Sequence, residues 1–152
     1  MASRRKGRIL AFQALYFWDT LSADVKSKKD DLASIEELTG FEWLEEEKRN
    51  KLDESISAFS KILIAGTVEN IDGIDEIIKK HLENWDITRV NRVDLAILRI
   101  SVFSLMFQKE IAPSIVIDEA IGISREFGTD DSYRFINGVL DSIRKTLQGQ
   151  EK

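Results

Sequence analysis

One proline, Pro113, and eight glycines are all that punctuate 152 residues. So few breakers favour long helices over many short strands joined by turns. The apolar residues recur to match. The stretch from Ile9 to Trp18 is polar only at Gln13, which predicts a helix over about 3–21 that is apolar nearly all round and central to the fold. Leu52, Ile56, Phe59 and Leu63, then Val68, Ile71, Ile74, Ile77, Ile78 and Leu82, repeat at three- and four-residue spacing and predict two amphipathic helices divided near Gly66. After a change of character at Asn84-Trp85-Asp86, Thr88 is the expected N-cap of a strongly apolar helix that reaches Gln108. Pro113 opens the next helix, on Val116, Ile117, Ala120, Ile121, Ile123 and Phe127, and Gly128 is expected to end it in the left-handed conformation. Thr129 or Asp131 caps the last helix, whose stripe is Ile136, Val139, Leu140, Ile143 and Leu147. No period-two alternation or hairpin dipeptide competes with this reading. The expected fold is an all-α helical bundle of about six or seven helices in two small subdomains, about 1–84 and 85–152. An acidic loop over about 22–46, with a short helix near 31–38, interrupts the first.

Composition removes much of enzymology. With no cysteine there is no thiolate zinc site, disulfide or cysteine nucleophile, and a single histidine argues against a His-based metal site or triad. His81 reads as a surface or boundary residue. No phosphate-binding glycine loop, zinc-protease motif, nucleophile elbow or calcium loop occurs. Asp118-Glu119 and Asp130-Asp131 are adjacent on helices, about 100° apart, and cannot act on one atom together. No metal, no cofactor and no catalytic residue is expected. No apolar run approaches the roughly 18 residues of a membrane span, and the aromatic-rich segment after the basic head lacks a small-x-small cleavage site. A cytoplasmic binding protein with no membrane partner is expected.

Charge is unevenly spread. The net −5 hides a segment, residues 19–54, with twelve acidic and six basic side chains; the rest of the chain sums to +1. Arg4, Arg5, Lys6 and Arg8 form a basic head with no acid before Asp19, placed where a chain end can move to a phosphate backbone. Arg5, Ile9, Gln13 and Tyr16 follow at four, four and three residues and share one helix face. A guanidinium, an amide and a ring are the groups that read single-stranded RNA, whose unstacked bases offer flat faces and hydrogen-bonding edges. In the last helix Phe135 and Asn137 flank the buried stripe centred on Ile136, beside Tyr133 and Arg134. Gly138 costs about 1 kcal/mol relative to alanine inside a helix, which calls for a reason such as close approach of another backbone. In the long core helix Asp94, Ser101 and Gln108 recur every seven residues, as do Arg92 and Arg99; these strips could face solvent or dock another protein.

Three blocks resemble one family, the bacterial transcription antitermination factors called NusB: RRKGRILAFQALYFWD, RVNRVDLAILRISVFSLM and IDEAIGISREFGTDDSYRFINGVLDSI, in family order over nearly the whole chain. The resemblance implies a single RNA-binding domain over 1–152 that recognises the boxA element of nascent RNA as a single strand. It further implies a small-subunit ribosomal protein acting as NusE as partner, within an RNA polymerase antitermination complex that promotes ribosomal RNA transcription. The RNA contacts it implies are Arg4, Arg5, Lys6, Arg8, Gln13 and Tyr16, and then Asp131, Ser132, Tyr133, Arg134, Phe135 and Asn137. The partner-protein contact it implies falls in the middle block, where Asp94 takes the place of an acidic residue; Arg92 and Ser101 of the two polar strips are the expected contacts beside it. Two departures stand out: Ser104 occupies a position where members commonly carry glutamate, and residues 20–50 have no clear family match. RNA cytosine methyltransferases carry a similar N-terminal domain, but this chain has no glycine-rich cofactor loop or cysteine nucleophile, so a free-standing binding protein is expected. The alternative is a helical protein-interaction module or homodimer that binds no RNA.

Overall fold

A computed structural model describes residues 2–20, 37–41, 43–82 and 86–150. Most of the acidic loop and the Asn84-Trp85 step therefore lie outside the described residues. The described chain is helical, with no strand, as the scarcity of breakers requires. It divides into two compact units, Met1–Glu69 and Asn70–Lys152.

In the first unit, α1 (Ala2–Thr20) packs along a later helix and buries Leu10, Ala11, Phe12, Ala14, Leu15 and Trp18. Though apolar nearly all round, it is not buried all round: Tyr16 and Phe17 are each 40% exposed. A turn lies within the last part of the acidic loop, where Phe41 adopts a positive φ of 58° and its buried ring lies beside Trp43. The Trp43 indole donates to the Leu38 carbonyl oxygen at 2.9 Å, and its ring stacks on Phe17. The short α2 (Glu46–Asn50) buries nothing. Asp53 then accepts hydrogen bonds from the backbone and hydroxyl of Ser55 and starts α3 (Glu54–Glu69), the helix on which α1 lies. No break occurs at Gly66. One glycine costs a helix only about 1 kcal/mol, and Leu63, Ile64, Thr67 and Val68 are buried on both sides of it. The interruption comes at Asn70 instead.

The second unit begins with α4 (Ile71–Lys80), whose Ile71, Ile74 and Ile78 are buried. This helix packs on two later helices of the same unit, so the compact division falls at residue 69/70 and the step near residue 85 lies inside the unit. Asp86 accepts from the Thr88 amide and caps a single 3-10 turn, Ile87–Arg89. Thr88 is thus not the cap of the long helix. Asn91 is: its Oδ1 accepts from the Val93 and Asp94 amides and opens α5 (Arg92–Phe107). Every residue of α5 from Asp94 to Leu105 is buried, and it packs against α4, α6 and α7. Pro113 opens α6 (Pro113–Phe127) as expected, and α7 (Ser132–Gln150) buries Ile136, Val139, Leu140 and Ile143.

Two glycine expectations are corrected. Gly128 ends α6 in an extended conformation, φ −93°, not a left-handed one. Space is the reason for glycine there, since a Cβ would lie 2.6 Å from Ser132 Oγ and 2.7 Å from the Ser124 carbonyl oxygen. Gly138 meets no close backbone: nothing lies within 4 Å of where its Cβ would be.

Candidate nucleic-acid interface

The basic head is not a loose tail. It is the first turns of α1, and Phe59 of α3 lies beneath it: the Arg4 guanidinium sits 4.9 Å and that of Arg8 5.2 Å from the ring centroid. Gly7 makes the approach feasible, because a Cβ would come within 2.7 Å of the Phe59 ring. A cation over an aromatic face is held without losing its edge donors. The four cations separate accordingly. Arg4 and Lys6 are exposed and Arg5 half-buried, whereas Arg8 is only 4% exposed. Along the same face Gln13 is half-buried and Tyr16 exposed, so guanidinium, amide and ring do share an accessible surface.

In the second unit the turn between α6 and α7 carries the other set. Ser132 is buried; its hydroxyl accepts from the Thr129 amide at 2.9 Å and lies 3.1 Å from the Thr129 hydroxyl, which fixes the entry to α7. Asp131, Arg134 and Asn137 are exposed, and Tyr133 and Phe135 half-buried. Arg134 Nε donates to the Tyr133 hydroxyl at 3.0 Å, and that contact first, with the charge of Asp131 after it, holds the guanidinium more firmly protonated.

Beside this turn is a cavity of about 370 Å³, lined by Arg89, Val90, Asn91, Asp94, Thr129, Asp131, Ser132 and Phe135. Asp94 therefore shares a site with residues expected to touch RNA, not one with Ser101. Burial raises its carboxyl above the ordinary carboxylate range; the Ser132 hydroxyl pulls the other way, and Asp94 Oδ1 accepts no hydrogen bond. The first polar strip of α5 does not face solvent. Asp94, Ser101 and Gln108 are all more than nine-tenths buried, and Gln108 Oε1 accepts from the Ser104 hydroxyl at 2.6 Å. Of the second strip, Arg92 is exposed, but Arg99 is buried and forms a two-pronged pair with Asp75 on α4, at 2.9 and 2.8 Å. His81, half-buried, meets the Ser142 hydroxyl at 2.7 Å through Nδ1.

The roles of Phe59 and Asp75 were not visible in the sequence. Each acts on a residue in another helix, and no spacing rule links them. Among the described residues no group of acids and histidine is arranged to hold a metal ion, and no helix is long and apolar enough to cross a membrane.

Fold and surfaces define an all-helical protein that presents basic and aromatic faces. Known proteins make the class specific. The NusB family profile matches residues 5–145. The transcription antitermination protein NusB of Treponema denticola is 49% identical over 93% of this chain and 95% of its own. The solved NusB of T. maritima superposes with a TM-score of 0.74 at 32% identity, covering 93% of this chain and 90% of that one. A solved structure of the antitermination factors NusB and NusE in complex with dsRNA matches with a TM-score of 0.75 at 28% identity, covering 96% of this chain and 98% of that one. The chain belongs to the NusB family, whose members are non-enzymatic transcription antitermination factors.

Proposed function

We propose that this chain binds boxA RNA, as a single strand, together with the small-subunit ribosomal protein acting as NusE. Within an RNA polymerase antitermination complex in the cytoplasm it thereby promotes transcription of ribosomal RNA. The observation that carries the RNA and NusE part of this reading is the likeness, over 96% of the chain, to a NusB solved with NusE and dsRNA; the single-strand form is supported by the exposed Tyr16 ring, which an unstacked base can meet. Arg4, Arg5 and Lys6 supply backbone contacts from α1, with Gln13 and Tyr16 next along its face. Asp131, Tyr133, Arg134, Phe135 and Asn137 supply contacts from the start of α7. Arg8 and Ser132, both buried, act by placing their neighbours. The exposed Arg92 is the accessible member of the partner-protein set, whereas Asp94 and Ser101 are buried.

Binding of labelled boxA and of a scrambled oligonucleotide, with and without the ribosomal protein, tests the reading. Three or four phosphate contacts to a single strand predict a slope of log affinity against log salt of roughly −2 to −3. No preference for boxA in either condition refutes it. A protein-only homodimer is the second reading, favoured by the 49% exposed Phe107 and 52% exposed Ile115. It predicts a concentration-dependent mass in sedimentation and no change when RNA is added.

A further inference from the structure

Two arginines from different helices converge on one ring. The Arg125 guanidinium, near the end of α6, lies 4.6 Å from the Tyr133 ring centroid, and that of Arg134 on α7 lies 5.5 Å from it while bonding the Tyr133 hydroxyl. Between α6 and α7 the chain turns through Gly128, where a Cβ would collide with Ser132 and the Ser124 carbonyl oxygen, so the two helix ends approach closely there. A cleft of about 360 Å³ opens there, lined by Arg125, Gly128, Thr129, Asp130 and Tyr133. Arg125 is exposed, and among the described residues it forms no ion pair with a carboxylate.

A guanidinium lying over an aromatic face is oriented by that face, while its N–H donors point outward around its edge. This planar fork matches two oxygens of one phosphate, and the ring removes part of the rotamer entropy that an exposed arginine loses on binding. We propose that Arg125, oriented by Tyr133 and working with Arg134, is a phosphodiester-binding residue that grips the RNA backbone at the α6–α7 turn. The inference rests on the RNA-binding reading above and extends it. It gives Tyr133 a different task from base stacking, since its ring already carries guanidinium. The contact is blind to base identity, because phosphates position a nucleic acid and base edges specify it. Asp130, on the wall of the same cleft, opposes the anion and keeps the grip weak.

The test uses the full chain with labelled boxA and a scrambled strand between roughly 50 and 200 mM salt. Arg125→Gln should weaken both RNAs by about three- to ten-fold and make the salt slope shallower by about 0.7, the loss of one phosphate contact. Arg125→Lys should keep the slope yet recover only part of the affinity, and Asp130→Asn should tighten both RNAs. Thermal melts followed by circular dichroism check that these exposed substitutions leave the fold intact. Wild-type affinity and slope in Arg125→Gln overturn the proposal while leaving RNA binding in place. So does a loss seen only when the ribosomal protein is present, which would make Arg125 a protein contact. Failure of the wild-type chain to bind either RNA, alone or with the partner, removes the underlying reading and this one with it.

Discussion

Asp75→Asn is the sharpest probe of what holds the second unit together. Arg99 sits in α5 with 9% of its side chain exposed, and both of its bonds to Asp75 are short and parallel, Nε to Oδ1 at 2.9 Å and Nη2 to Oδ2 at 2.8 Å. Removing one member of a fully buried pair costs about 3–5 kcal/mol, because the remaining charge loses its counter-ion in a poorly solvated place. Asp75 is 21% exposed, so water can partly replace it. The expected loss is therefore about 2–4 kcal/mol. For a chain of this length that lowers Tm by roughly 4–16 °C, since 1 kcal/mol moves the midpoint by about 2–4 °C. Urea unfolding of wild type, Asp75→Asn, Arg99→Met and the double variant measures both the loss and the coupling. The double variant should be less damaged than the sum of the singles by at least about 1 kcal/mol. A loss below about 0.5 kcal/mol, or strictly additive singles, would show that the pair is an incidental contact and that the reasoning from its burial is wrong.

Glycine positions offer a pair of opposite signs: Gly128→Ala should destabilise by about 1–3 kcal/mol through collision with Ser132 and the Ser124 carbonyl, and Gly138→Ala should stabilise by about 1 kcal/mol, both read from urea midpoints. Asp94 predicts a pH signature. Burial raises its pKa in the folded state, so its contribution to stability is full below the unfolded carboxylate value near pH 4 and is lost as pH rises through the raised value. Asp94→Asn should flatten that decline, and a wild-type-minus-variant difference that stays constant from acid to neutral pH would contradict it. Phe59→Leu should weaken RNA binding several-fold and leave the salt slope nearly unchanged, because it loosens Arg4 without removing a charge. A shallower slope, or unchanged affinity, would tell against Phe59 as the support of that cation.

Helices, their apolar stripes and the opening at Pro113 were legible from local order alone, because 3.6-residue periodicity and the N1 preference of proline depend only on near neighbours. The absence of cysteine and the scarcity of histidine likewise needed no fold to carry their meaning. So did the shared face of Arg5, Gln13 and Tyr16. Which polar residues remain at the surface was not local. Arg8, Asp94, Ser101 and Gln108 look like solvated positions in a pattern and are buried in the molecule, because the cover over each comes from residues distant in sequence. From the sequence Gly138 is the glycine expected to be crowded and Gly128 the one expected to turn left-handed, yet Gly128 is crowded and Gly138 open. Partnerships formed across helices decide the chemistry of the surface: Phe59 under Arg4, Asp75 on Arg99, Ser132 beside Asp94, Arg125 over Tyr133. Spacing along one chain determines which residues share a helix face, but only packing between helices determines what that face meets.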